Sequence, residues 1–276
     1  MKFGFVTCVQ LGLSCMEAVY DVGGKLDLVI SLKDSQSINK SGRIFVDKFC
    51  EKNNISVHKS SHINNADCIA AIKAKNLDWL FIIGWSQIAN SEILSAPRKG
   101  VLGIHPTLLP EGRGRASIPW AIIKGLDKTG VTLFKLDEGV DTGGILDQLV
   151  IPLSEQTTAT ELYELVDKAH IDLMRGIYPQ LKENKVLITK QDDTAATEWP
   201  GRDPSDGKID LDGSVFDAER LVRAVTSPYP GAFTKIDGIE YIIWESKILD
   251  SNSSDSDKTL TFKDGILSLT EYQLKN

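Results

Sequence analysis

The chain has 276 residues and a mass of 30.4 kDa, with 42% hydrophobic and 25% charged residues. That is enough for one large domain with a smaller companion, and it excludes a disordered or collagen-like chain. A formal charge of −7 and a pI near 5.2 exclude the broad basic face of a nucleic-acid binder, while leaving room for a local basic pocket around one small anion.

Phe3 to Val9 is a short apolar run of the buried-strand kind, followed by a glycine-containing turn at Gln10-Leu11-Gly12 and a helical pattern from Ser14, which suits an N-cap. Leu26 to Leu32 reads as a second strand, the polar stretch Lys33 to Arg43 as a loop, and Phe45 to Lys52 as a helix. Ile55 to Val57 is a third strand and Asn65 to Ala74 a helix. Trp79 to Ile83 is apolar throughout and belongs at the centre of a sheet, followed by a short helix at Glu92 to Leu94 and a strand at Val101 to Ile104. This alternation predicts an α/β fold, a Rossmann-like and mostly parallel sheet with helices on both faces. Ligands in such sheets bind outside the carboxyl ends of the strands, which singles out Gln10–Gly12, Lys33–Arg43, Gly84–Ala89 and His105–Arg115.

A long amphipathic helix is expected over Ala159 to Asn184, and a boundary at the turn-rich Trp199 to Gly207. Beyond it come a helix within Glu219 to Val225 and short strands at Phe233–Ile236, Tyr241–Trp244, Leu260–Phe262 and Ile266–Leu269. Asp250 to Lys258 reads as a mobile loop. The expected organisation is a main domain over 1–190, a linker over 191–206 and a small, mainly β C-terminal subdomain over 207–276.

The four cysteines (Cys8, Cys15, Cys50 and Cys68) contain no C-x-x-C pair and read as reduced thiols of a cytoplasmic protein, with no metal site expected. The N-terminus faintly resembles a lipoprotein signal, but Gln10 interrupts the apolar stretch and Glu17 and Asp21 continue a helical pattern past the cleavage point, so export is not expected. No apolar stretch approaches the ~18 residues of a membrane span.

Chemistry is concentrated between Gly84 and Gly144. There the chain carries Gly103-Ile104-His105-Pro106-Thr107-Leu108-Leu109-Pro110, then Gly112-Arg113-Gly114-Arg115, Thr129-Gly130-Val131-Thr132 and Asp137-Glu138-Gly139-Val140-Asp141-Thr142-Gly143-Gly144. Prolines, glycines and one histidine directly after a strand suit a rigid loop that presents a side chain to a ligand. The triplet Asp141-Thr142-Gly143 alone is no aspartic-protease site, since that mechanism needs two carboxylates. His58, His62 and His170 read as structural.

This block resembles the folate-dependent formyltransferase family, which includes methionyl-tRNA, glycinamide ribonucleotide and nucleotide-sugar N-formyltransferases. The resemblance covers about the first 190 residues. It implies a formyl transfer from 10-formyltetrahydrofolate to an amine, with His105 as proton acceptor or shuttle and Asp141 as the acid that orients it. It further implies that Trp85, Ser86, Gln87, Ile88 and Ala89, with the loop Asp137, Glu138, Gly139 and Val140, wrap the pterin as co-substrate. The family usually has Asn two residues before the histidine as oxyanion donor; here that position is Gly103, so a backbone N–H, His105 itself, Gln10 or Gln87 must serve, or activity is altered. Hydrolysis of formyltetrahydrofolate, or folate binding without catalysis, is the alternative that this departure leaves open.

Gln10, Lys40, Arg43, Arg113 and Arg115 are the candidates for holding a nucleotide-linked substrate at the ligand edge. Among acceptors, an acidic chain with a short tail fits methionyl-tRNA poorly; a hydroxyornithine-type acceptor is a further alternative. The segments Thr7 to Cys15, Lys40 to Arg43 and Trp199 to Arg202 look similar to the bacterial branch that formylates a UDP-linked 4-amino-4,6-dideoxy sugar in pseudaminic-acid-type surface polysaccharide biosynthesis. The expected partner is therefore a small nucleotide sugar, with neither nucleic acid nor membrane, in a chain compatible with a homodimer.

Overall fold

A computed structural model gives the fold and describes residues 1–36, 42–249 and 258–274. Lys40 lies outside the described residues, as does the expected mobile loop at Asp250–Lys258 apart from Lys258 itself.

The chain forms β1 (Phe3–Val6), α1 (Gln10–Asp21), β2 (Leu28–Leu32), α2 (Asp47–Lys52), β3 (Ser56–Ser60), α3 (Ala66–Lys75), β4 (Trp79–Ile82), α4 (Ser91–Ser95) and β5 (Gly100–His105). There follow β6 (Arg113–Gly114), α5 (Ser117–Ile123), β7 (Lys128–Lys135), β8 (Ile145–Pro152) and α6 (Ala159–Lys182). Seven strands make one sheet in the order β3-β2-β1-β4-β5-β7-β8, so the strongest apolar run, β4, is its middle strand. β1, β2, β3, β4 and β5 pair in parallel and β5 pairs antiparallel with β7, so the sheet is mostly parallel as expected.

Side chains alternate across the strands and build two cores. Val6, Leu28, Ile30 and Leu80 join Ile63, Cys68, Ile72 and Ile93 from the flanking segments on one face. Phe3, Phe5 and Phe81 pack on the other, where Tyr178 of α6 lies 4.7 Å from the Phe3 ring and donates its hydroxyl to Lys25 O.

Three expectations are corrected. α1 starts at Gln10, not Ser14, with Val9 as an N-cap that offers no side-chain bond. Gly12 is inside this helix because a Cβ there would fall 1.8 Å from Thr7 Oγ1. A glycine read as a turn signal thus serves close helix–strand packing. β7 and α5 lie in the motif-rich block and β8 directly after it, and none of the three was read from the sequence. No helix among the described residues is long and apolar enough to cross a membrane.

Two compact units are present. The first comprises Met1–Arg113, Gly130–Leu149 and Asp167–Thr197, and the second comprises Gly114–Thr129, Val150–Val166 and Glu198–Asn276. The second contains β9 (Glu198–Trp199), α7 (Val215–Val225), and a four-stranded antiparallel sheet of β10 (Ala232–Ile236), β11 (Ile239–Leu249), β12 (Thr259–Phe262) and β13 (Gly265–Leu274), in the order β10-β11-β13-β12. Ser214 caps α7, its Oγ accepting from Phe216 N. Helix α7 packs its buried face of Val215, Ala218 and Val222 against this sheet and α5.

Candidate active site

Parallel pairing brings the segments that follow β1, β4 and β5 to one edge of the sheet. The loop after β2 returns to the same edge, because Arg43 bridges Val9 and Ile44 N donates to Cys8 O. His105 is the last residue of β5 and is 7% exposed. Its Nε2 stands 2.8 Å from Gly112 O, and since a carbonyl only accepts, Nε2 carries the proton there. Nδ1 stands 3.4 Å from Asp141 Oδ2, in a carboxylate with 19% of its side chain exposed. Both ring nitrogens therefore face acceptors, which fixes the plane of the imidazole.

The loop that carries His105 is pinned from β7. Thr132 Oγ1 donates to Thr107 O (2.7 Å) and accepts from Leu109 N (3.1 Å) and from Gln148 Nε2 (2.8 Å). Thr132 belongs to the Thr-Gly-x-Thr element, whose place in the motif thus has a structural cause. Asp141 adopts φ 54°, the left-handed region, and the chain beside it is so tight that a Cβ on Gly143 would fall 1.6 Å from Lys135 O.

The segment 191–197, read from sequence as part of a linker, clasps both sides of the pair. Gln191, 5% exposed, donates through Nε2 to Asp141 O (2.8 Å) and Gly143 O (2.7 Å). Its Oε1 accepts from Arg113 Nε and Nη2, and Arg113 also pairs with Asp193 at 2.8 Å. On the other side Thr197 Oγ1 accepts from Gly112 N at 2.8 Å, and Gly112 O accepts the hydrogen bond from His105 Nε2. Gln191 and Thr197 were missed because they sit 50 and 85 residues from the groups they hold, in a polar stretch without periodicity.

The remaining site candidates divide by their partners. Gln87 is engaged at both ends of its amide: Oε1 accepts from Ile63 N and Nε2 donates to Ser61 O, which ties it to the turn after β3. Trp85 and Ala89 pack partly against the apolar core, Ser86 is exposed, and Ile88 is 85% exposed. Asp137 closes its own loop by accepting from Thr142 Oγ1 (2.6 Å) and Gly139 N (3.1 Å), and Glu138 and Val140 project to solvent. Gln10 is exposed and bonds Ser14. Arg43 donates to Ser31 Oγ and Leu32 O at the end of β2 and stacks over Phe45. Arg113 is 6% exposed and held by Gln191 and Asp193, which makes it part of the scaffold. Arg115 belongs to the second unit, exposed, beside Gly201. At Gly103 a Cβ would fall 2.8 Å from Leu136 Cδ2, so an apolar side chain fills the space beside Gly103.

The formyl transferase family profile matches residues 20–176, and that of the formyl transferase C-terminal domain matches residues 202–275. The chain belongs to the formyl transferase family. Methionyl-tRNA formyltransferase of Clostridioides difficile is 30% identical over 270 residues, covering 96% of this chain and 87% of that protein. The bifunctional polymyxin resistance protein ArnA of Wigglesworthia glossinidia brevipalpis is 31% identical over 99% of this chain, which spans only 41% of that longer protein. Among solved structures, the N-formyltransferase from Helicobacter canadensis, in complex with folinic acid and dTDP-3-aminofucose, superposes with a TM-score of 0.72 at 18% identity, covering 98% of this chain and 99% of that one. That likeness concerns the fold, and it extends through the small β unit.

Proposed function

We propose that this enzyme transfers the formyl group of 10-formyltetrahydrofolate to the amino group of a nucleotide-linked sugar, with a UDP-linked 4-amino-4,6-dideoxy sugar as its preferred acceptor. The observation that carries the formyl-transfer chemistry is the His105 ring held between Gly112 O and the Asp141 carboxylate at the ligand edge of the sheet. The neutral amine attacks the formyl carbon and forms the new C–N bond. His105 takes the proton that the amine sheds, and the folate nitrogen leaves with a proton as its bond to the formyl carbon breaks. An imidazolium at this place has an acceptor for each N–H, namely Gly112 O and Asp141. With Leu136 in the space beside Gly103 and both His105 ring nitrogens turned to Gly112 O and Asp141, oxyanion stabilisation falls to backbone N–H groups.

The sugar acceptor is supported by the net charge of −7, which opposes a polyanionic acceptor, and by the whole-chain likeness of fold to a protein described with a dTDP-amino sugar. Methionyl-tRNA is the second reading, favoured by the 30% identity to the clostridial enzyme over 96% of this chain. The test offers 10-formyltetrahydrofolate with UDP- and dTDP-amino sugars or with charged initiator tRNA, and follows tetrahydrofolate release and the mass gain of one CO unit. Amino-sugar formylation that drops on the order of 10²–10⁴-fold in His105→Ala is expected. Transfer to tRNA alone would overturn the acceptor, release of tetrahydrofolate without any amine would show a hydrolase, and full activity in His105→Ala would sink the mechanism.

A further inference from the structure

Outside this site, three side chains of different donor type converge at the junction of β3 and α3. His58 is the third residue of β3, and Asp67 and Cys68 are the second and third of α3. A ring nitrogen of His58, a carboxylate oxygen of Asp67 and Cys68 Sγ all lie within 4.8 Å of one another. We propose that His58, Asp67 and Cys68 form a binding site for a thiophilic divalent cation of the zinc class, with water completing its coordination.

The donor set selects the ion. One imidazole, one carboxylate and one thiolate match a tetrahedral zinc-type centre, whereas magnesium and calcium take oxygen donors. Bond lengths of about 2.0–2.3 Å place tetrahedral ligand atoms about 3.3–3.7 Å apart. His58 Nε2 and Asp67 Oδ2 already stand 3.2 Å apart, so the closure needed falls on the sulfur side, where the separations are within 4.8 Å. The charge also balances. Cys68 Sγ gives up its proton to solvent on binding, and the thiolate and carboxylate together cancel the charge of a divalent ion. That matters because Cys68 is fully buried and belongs to the apolar cluster. The His58 and Asp67 side chains retain 26% and 48% of their exposure, which gives the ion an entry path and room for water.

The carboxylate is oriented from behind. Asp67 Oδ1 accepts from Cys68 N at 2.9 Å, Ser60 Oγ stands 3.3 and 3.4 Å from the two carboxylate oxygens, and Oδ2 faces His58. The turn between the proposed ligands holds the loop after β4. Ile63 N and Ser61 O both bond the Gln87 side chain, and Asn64 Nδ2 donates to Ile88 O while its Oδ1 accepts from Asn90 N. A cation joining β3 to α3 therefore staples both ends of the turn that supports Gln87–Asn90.

The test uses the full chain, reduced and stripped with a chelator, then titrated with Co²⁺ and back-titrated with Zn²⁺. The expected result is one equivalent of Co²⁺ with a thiolate-to-metal charge-transfer band, displaced by Zn²⁺, and a higher melting temperature in the presence of Zn²⁺. Cys68→Ser should lose the band, and His58→Asn should weaken Zn²⁺ binding by about tenfold or more. Should Cys68→Ser fail to fold, His58→Asn, at a partly exposed ring, decides alone. Absence of the band, its persistence in Cys68→Ser, or unchanged Zn²⁺ affinity in His58→Asn overturns the site, and none of these outcomes bears on formyl transfer.

Discussion

Gln191→Leu removes four hydrogen bonds at nearly constant volume, so its consequences follow from polar contacts rather than from a cavity. The side chain is 5% exposed and its amide joins Asp141 O and Gly143 O on one end to the Arg113 guanidinium on the other. Two neutral bonds at about 1 kcal/mol each and a charge-assisted pair at about 1.5–3 kcal/mol set the scale. Arg113 keeps Asp193 at 2.8 Å, so no buried charge is orphaned and the loss stays near 3 kcal/mol. A fall in melting temperature of about 5–10 °C is expected. The effect on chemistry is separate. Asp141 holds φ 54°, a left-handed turn that the two bonds from Gln191 keep in place. Freed from Gln191, the peptide relaxes and the carboxylate drifts from His105 Nδ1. A misplacement of about 1 Å is worth on the order of 10²-fold, so kcat should fall about 10–100-fold while KM for folate changes little. Steady-state kinetics with saturating acceptor measure both, and circular dichroism confirms the fold. Gln191→Glu sharpens the case, because it keeps the acceptor for Arg113 and sets a carboxylate against two carbonyls. Wild-type kcat in either variant would refute this account of the clasp.

Thr197→Val deletes the acceptor of Gly112 N and should lower kcat up to about fivefold, the kinetic equivalent of one hydrogen bond of about 1 kcal/mol, with KM unchanged. Gly103→Asn meets Leu136 and should destabilise the protein by about 1–3 kcal/mol, which the added change Leu136→Ala recovers; equal melting temperatures for the single and double variants would refute the clash. Asp78 titrates below the ordinary carboxylate range: burial raises it, but the Lys2 backbone N–H and the Arg98 guanidinium outweigh burial. A depressed folded-state value contributes stability above the unfolded value near ~3.9 and loses it as pH falls through the folded one. Asp78→Asn should thus be less stable at neutral pH and show a shallower loss of stability below about pH 4 in denaturant titrations.

Much of the sheet was legible because buried parallel strands leave continuous apolar runs. Trp79–Ile82 reads as central and is the middle strand, and the strands around it follow by spacing. What failed to read did so for local reasons. Gly12 looks like a chain break yet lies in a helix, since Thr7 leaves no space for a Cβ. β7 and β8 flank the Asp137–Gly144 turn, where glycines that allow close backbone approach hide the alternation of the strands. Helix ends also moved inward or outward by a few residues where no side-chain cap marks them, as at Val9.

The site was legible only where the functional residues are consecutive. His105 and Asp141 each stand in a compact motif, and the structure brings them together. Polar loop residues were harder, because a glutamine or arginine at a ligand edge can either meet the ligand or hold the loop that does. Existing partners separate the two. Gln87 bonds at both ends of its amide, and Arg113 is buried against Gln191 and Asp193, so both are committed to holding the loops around them. Gln191 is the converse case: nothing in Lys190-Gln191-Asp192-Asp193 distinguishes it, and its role exists only because the chain returns from α6 to the Asp141 turn. The amide of Gln191 holds the carbonyls on either side of this left-handed turn, at Asp141 and Gly143. The left-handed turn of Asp141 and the buried amide of Gln191 are therefore two sides of one arrangement, and a variant that suits the turn but lacks the carboxylate, such as Asp141→Gly, should keep the turn while losing the chemistry.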